Sequence, residues 1–352
     1  MVGESINRAV HRGRCFLAVG TLIATSCAGH DHTRTGSTSL SRTYEQSYFP
    51  ASHNWAFRRN YARADHLFNA FDYGHAVLSE VLYTRPAAPN AVLDGDQFRF
   101  ITHHVLRHPP PVPLEERAIA PNFARLVPEL ELTFEWAHML HRQLYDVWAD
   151  TRISDRAKDA RIAELVRYYR SRGDLALSAK PKTMAPMEER GYSGDFRRRY
   201  PKFNGLIWSY HWLQLALYEA LMSEPSAAGR RAAVAGAVER FYGMVACPAQ
   251  GLPRTMPMAV AVAPRFSERY PEAAAIFENL HALHDVVSDI LASPTVPPSR
   301  KREMLLAAAS QYRDDKIEVM TVDEWREMAR TMGGDAARGR PIEPCSPPSA
   351  TR

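Results

Sequence analysis

The chain has 352 residues, 45% of them hydrophobic and 24% charged, with a formal net charge of +5. That composition is ordinary for a globular protein and leaves room for one large or two modest domains. The basic excess gathers at Arg8, Arg12 and Arg14 and in Phe196-Arg-Arg-Arg199, with no basic stripe interleaved with aromatics, which excludes a nucleic-acid partner.

The first 27 residues read as an export segment. Basic residues precede an apolar run, Cys15–Ala24, and small residues follow it up to Cys27. The run is too short to cross a bilayer as a helix, which takes about 20 residues. Its end resembles the lipobox of bacterial lipoproteins, although Ala24 stands where that family favours Leu. The resemblance implies lipidation of Cys27 and a membrane-anchored or periplasmic location, with ordinary signal cleavage as the alternative. Residues 28–45 are rich in His, Thr, Ser and Gly and read as a flexible linker. Cys15, Cys27, Cys247 and Cys345 form no C-x-x-C pair, which removes a zinc ribbon, a thioredoxin-like pair and an attached c-type haem. In an oxidising compartment Cys247 and Cys345 are free to pair.

From Asn54 the pattern is helical. Leu67, Phe68, Phe71, His75, Leu78 and Leu82 share one 3.6-residue face over 54–83, and Arg85-Pro ends it. Residues 98–107 form a shorter helix. Pro121-Asn122 opens a long one that runs to Asp150, and Ser154 caps another to Arg172. Residues 179–201 read as a long loop. Helices follow over 202–223, 227–245, 267–291, 299–314 and 321–332, with 252–264 non-helical and Thr321/Glu324 as a capping box. Alternating runs and hairpin dipeptides are missing. The expectation is therefore an all-α fold, a central four-helix bundle with additional peripheral helices in a single domain over 46–332, and a disordered tail over 333–352.

Four of these helices carry histidine in an apolar setting: Asp72-Tyr-Gly-His75, Glu135-Trp-Ala-His138, His211 with Gln214 and Glu219 beyond it, and Glu278-Asn-Leu-His281 followed by His284 and Asp285. His75, His138, His211 and His281 are spaced 63, 73 and 70 residues apart, each helix with a shorter one after it. That suggests four similar helix pairs without proving a duplication. A carboxylate and an imidazole three residues apart share one helical face and can bind one metal, and the carboxylate can reach a second.

Glu135-x-x-His138 and Glu278-x-x-His281, alternating with helices that carry other candidate ligands, resemble the ferritin-like di-metal carboxylate bundle. The resemblance covers the four core helices. It implies a di-iron or di-manganese centre for oxidative or peroxide-directed chemistry, ligated by Asp72, His75, Glu135, His138, His211, Glu278 and His281, with Tyr73, Tyr210 or Asp285 behind them. The first helix departs from that pattern by offering Asp72 with His75, and the third by offering His211. Two other readings fit the same residues. In a non-enzymatic extracytoplasmic scaffold, Glu278, His281, Asp285 and Asp289 are a solvent stripe and Glu131, Glu135 and Arg142 an exposed ion-pair row. In a haem bundle the four histidines are axial ligands.

Overall fold

Each of four long helices begins behind the same local break. A short helix carries a phenylalanine three residues before its end, and that carbonyl accepts the N–H of the residue four places on: Phe57 from Tyr61, Phe123 from Val127, Phe196 from Tyr200 and Phe266 from Tyr270. Those four acceptor-bound residues share one non-helical conformation, φ near −132° to −146° and ψ 46° to 67°. In three cases a proline follows. Proline disfavours the α conformation in the residue before it and fits the first position of the helix after it. The long helices are α1 (Ala62–Thr84), α2 (Pro128–Ala149), α4 (Pro201–Ser223) and α6 (Pro271–Ala292).

The computed structural model describes residues 47–332, all within one compact unit. The all-α expectation holds. Among the described residues there is no strand, only an isolated antiparallel bridge between Lys182 and Val319. α1 packs on α4 and α6, and α2 packs on the same two helices. Outside them lie α3 (Asp155–Arg170) against α2, α5 (Ala227–Ala246) against α4, and α7 (Pro298–Arg313) against α6. α8 (Val322–Thr331) opens with the expected capping box of Thr321 and Glu324. The counterpart of the outer helices after α1 is irregular, with π-helical turns over Ala91–Gln97 and Ile101–Val105.

Each long helix also returns a carboxylate to a short helix. Nineteen residues after the break stand Glu80, Asp146, Glu219 and Asp289. Asp146 accepts from Trp55 N and Phe57 N, each at 2.8 Å, and Glu80 accepts from Asn122 N and Phe123 N, each at 3.0 Å. Asp289 accepts from Gly194 N and Phe196 N at 2.8 Å, and Glu219 from Arg265 N at 3.0 Å. A helix N-terminus presents unpaired N–H groups and positive potential, so a carboxylate is its natural partner. The capping is reciprocal: α1 and α2 cap each other's leading helices, as do α4 and α6. Trp55 and Gly194 hold the same place before their short helices, and both are left-handed, with φ of 67° and 74°. The even spacing of the histidines thus reflects a fourfold structural repeat.

Several sequence-based boundaries are corrected by these breaks. The helix expected over 54–83 is split at Tyr61, the one from Pro121 at Val127, and the one opening at 267 instead begins at Pro271. The expected loop over 179–201 contains the helices Ala185–Glu188 and Asp195–Arg199, and the non-helical stretch over 252–264 contains Ala259–Val262. Short helices give too few turns for a period to be read. The export segment, Cys27, the linker to residue 46 and the tail from 333 lie outside the described residues.

Candidate metal centre

Eleven and fourteen residues after each break, the repeat presents a pair of polar side chains to the middle of the molecule. The pairs are Asp72/His75 on α1, His138/His141 on α2, His211/Gln214 on α4 and His281/His284 on α6. Three residues of helix place both members of a pair on one face. All eight side chains are buried, His138, His141, His211 and His281 completely.

His75 is oriented by its own helix. Its Nδ1 lies 3.3 Å from the Phe71 carbonyl, which only accepts, so Nδ1 donates and Nε2 keeps its lone pair. That Nε2 is 3.3 Å from Nε2 of His211. His284 completes the group, and the three histidines offer nitrogens all within 4.8 Å of one another. The rings are packed tightly: His211 stacks on His281 at 4.1 Å, His75 meets His284 at 4.2 Å, and Phe134 meets His284 at 4.2 Å. His281 Nε2 is 3.0 Å from Gln214 Oε1, and Tyr218 Oη is 2.8 Å from His141 Nδ1.

A carboxylate-rich side adjoins the imidazoles. His138 Nδ1 is 3.8 Å from Asp72 Oδ1 and 3.9 Å from Glu116 Oε1, too far for hydrogen bonds. Arg142 Nη2 donates to the other Asp72 oxygen at 2.6 Å. Beyond Glu116 lie Glu135 and Glu131, the latter held by two hydrogen bonds from Arg117. Burial dominates the protonation of all these groups. It lowers His75 and His281 to about 3 and drives His138, His211 and His284 well below the usual range. It raises Asp72 to about 7 and, with the Glu131 charge, Glu135 to about 8. Burial and the neighbouring Glu135, Glu131 and Asp72 push Glu116 well above its ordinary value. At neutral pH the imidazoles are uncharged, the state in which they bind metal.

Of the residues anticipated from sequence, Asp72, His75, His138, His211 and His281 come together in this core. Two glutamates do not join them. Glu278 accepts from Ala259 N at 2.6 Å and from Trp325 Nε1 at 3.4 Å, so it caps a short helix. Glu135 faces the Glu131 and Glu116 carboxylates. Both occupy the place three residues before the first polar position of their repeat, so the two E-x-x-H matches reflect the repeat. The surface readings fail as well: Glu131, Glu135, Arg142, Glu278, Asp285 and Asp289 are all buried. Tyr73 lies at the periphery against Phe100, Tyr210 packs on Phe71, and Asp285 accepts from Trp208 Nε1 at 2.9 Å.

Two residues were missed. His284 was visible in the sequence, one turn beyond His281, and Glu116 lies in a short helix without periodic signal. Buried atoms with no hydrogen-bond partner are concentrated in this core: both nitrogens of His138 and of His284, Nδ1 of His211 and His281, Nε2 of His141, Asp72 Oδ1, Glu116 Oε1 and Glu135 Oε1. Such groups are costly to bury unpaired, by about 1–3 kcal/mol each. A cation would satisfy many of them at once. Compared with known protein families, with curated proteins and with solved structures, the chain matches none.

Proposed function

We propose that this chain is an exported metalloprotein whose helical core holds a two-metal centre for oxidative or peroxide-directed chemistry. The observation that carries the reading is the pair of buried Nε2 atoms of His75 and His211, 3.3 Å apart, with one of them fixed as a lone-pair donor by the Phe71 carbonyl. Two imidazoles bound at about 2.1 Å to one tetrahedral ion place their nitrogens about 3.4 Å apart. His75, His211 and His284 hold the imidazole-rich position. His138, Asp72 and Glu116 hold the carboxylate-rich one, with Arg142 fixing the second Asp72 oxygen.

Imidazole suits Fe, Zn and Cu, and carboxylate suits Mn. Iron fits the mixed set best, with manganese as the other candidate. Such a centre supplies redox chemistry with small oxidants, and the burial of every ligand keeps bulky molecules from it. The chain's own residues exclude bulk water and hold the imidazoles neutral. The haem reading has no support in the packing: the histidine rings lie on one another and on Phe71 and Phe134 rather than across a gap.

Export is supported by the disulfide at Cys247, since such bonds persist in oxidising compartments. The other three cysteines lie outside the described residues. Among the described residues, no helix is long and apolar enough to cross a membrane. Membrane attachment accordingly rests on Cys27 and its lipobox-like context.

A non-enzymatic scaffold is the second reading, favoured by the polar ties His281–Gln214 and His141–Tyr218, which pair imidazoles without any ion. Elemental analysis of the purified full chain separates the two. Two equivalents of Fe or Mn, lost in His75→Ala and His211→Ala but kept in Glu278→Gln, are the expected result. A metal-free, folded and stable protein refutes the centre.

A further inference from the structure

Away from the core, a cleft of about 720 Å³ opens between the start of α4 and the turn at 248–254. Its walls are apolar: Trp208, Leu252, Ala249 and the prolines 201, 248 and 253. Its charged residues are all cationic: Arg197, Lys202 and Arg254, with no carboxylate in the lining. Arg197 is already committed to Glu188, by two hydrogen bonds of 2.8 Å. Lys202 lies over the Phe98 ring at 4.1 Å, and Arg254 donates to the Ala249 carbonyl at 3.1 Å. Neither is within ion-pair distance of a carboxylate among the described residues. Asp94, whose charge interacts with Lys202, accepts hydrogen bonds from the backbone N–H groups of Lys202 and Phe203.

Two buried side chains make this more than a basic patch. Asn204 is 4% exposed, lines the cleft and has an Oδ1 without a partner. Its amide can turn either a donor or an acceptor toward a ligand. Trp208 is almost fully buried, forms part of the wall and is anchored through Nε1 to Asp285, the residue after His284. An aromatic wall, an amide oxygen without a partner and two cations outside ion-pair distance of any carboxylate among the described residues, in a concave site of this size, fit one class of ligand. That class is a small organic monoanion with a flat apolar body.

We propose that this cleft binds a small aromatic carboxylate, its ring on Trp208 and the adjoining prolines, its carboxylate between Lys202 and Arg254, and a polar substituent on Asn204. This site does not depend on the metal centre.

The test is calorimetric titration of the full chain with 4-hydroxybenzoate, with 4-hydroxybenzyl alcohol as the uncharged counterpart and inorganic phosphate as a plain anion. Saturable binding of the carboxylate is expected, at least about tenfold tighter than the alcohol, a ratio that each 1.4 kcal/mol of discrimination produces. The double variant Lys202→Ala/Arg254→Ala should lose that preference and keep the alcohol's affinity, while Asn204→Ala weakens both. Lys202 and Arg254 are surface side chains and Asn204 is a buried one, so an unchanged circular dichroism melt is required of each variant before its affinities are compared. The metal-loaded and metal-free proteins should bind alike, so failure of the metal reading leaves this result intact. Carboxylate binding that survives the double variant, phosphate binding as well as the carboxylate, or no binding of the carboxylate up to about 10 mM overturns the proposal.

Discussion

Replacing Asp146 by Ala removes both acceptors that hold the helix leading into α1. Phe57 N and Trp55 N each lose a 2.8 Å hydrogen bond, and the first of these is fully buried. Loss of a capping side chain costs about 1 kcal/mol. An orphaned buried donor adds about 1–3 kcal/mol. Trp55 also sits at φ 67°, where a side chain is strained, and the Asp146 bond is one of the contacts that keep it there. The expected cost is therefore about 2–4 kcal/mol, or about 4–8 °C in melting temperature for a domain of this size. Asp289→Ala should cost a similar amount, because Asp289 makes the same pair of bonds to Gly194 and Phe196. Glu219→Ala removes the equivalent cap at a surface-exposed Arg265 N, and surface changes stay within about 0.5 kcal/mol. Urea unfolding with unchanged slope measures all three. The reasoning fails if Asp146→Ala is within about 0.5 kcal/mol of the parent, or if Glu219→Ala costs as much as the two aspartates.

Gly251→Ala should destabilise by about 1–3 kcal/mol, because a Cβ there meets the Met244 carbonyl oxygen at 2.6 Å and its Cα at 2.8 Å, both backbone atoms that do not move aside. Thermal denaturation checks it, and a neutral effect would contradict the packing of α5 on the following turn. Gly194→Ala should cost about 1–2 kcal/mol, since φ is +74° and Arg198 Nη1 lies 2.6 Å from the new Cβ, whereas Gly173→Ala meets nothing within 4 Å and should be near neutral. In the metal-free protein, stability should change little between about pH 4 and 6.5, where the histidine and acid contributions shift in opposite directions, and should fall below about pH 4 and from about 6.5 to 8, as followed by melting temperature. The acid side follows from the histidines. His75 and His281 are lowered to about 3 from 6.5, so their contribution is complete above 6.5 and is lost as pH falls toward 3. The alkaline side follows from the buried acids. Asp146 and Glu278 are raised to about 7 and Asp285 to about 8, so their contribution is complete below their ordinary values of 3.8 to 4.5 and is lost as pH rises from there through 7 to 8. A melting temperature that climbs steadily from pH 6.5 to 8.5 would go against this assignment.

The class of fold was legible because the helix period is strong in every long element: Leu67, Phe68, Phe71 and Leu78 mark α1 as surely as Leu130, Phe134 and Leu144 mark α2. The even spacing of four histidines was legible too, but its cause was not. The repeat is carried by a break conformation at Tyr61, Val127, Tyr200 and Tyr270, by a phenylalanine four residues earlier, and by a carboxylate nineteen residues later. Three scattered positions in some seventy residues do not stand out in a linear reading, and Val127, Ala62 and the Asp/Glu exchange blur them further. The candidate centre was half legible. Asp72, His75, His138, His211 and His281 were found because a polar residue on an apolar face is conspicuous. Glu135 and Glu278 were given the wrong partners because the E-x-x-H spacing has two origins, a shared metal and a shared place in a repeat, and spacing alone does not separate them. Glu278 is committed to Ala259 N and Trp325, contacts made across the fold that no local pattern announces.

An X-ray crystal structure of the iron- or manganese-loaded protein, with an anomalous difference map at the metal edge, tests the central claim most directly. The account predicts one peak about 2.1 Å from Nε2 of both His75 and His211, with His284 within bonding reach, and a second beside His138, Asp72 and Glu116. A map with no peak in this core, with Nε2 of His75 and Nε2 of His211 still 3.3 Å apart, would contradict it.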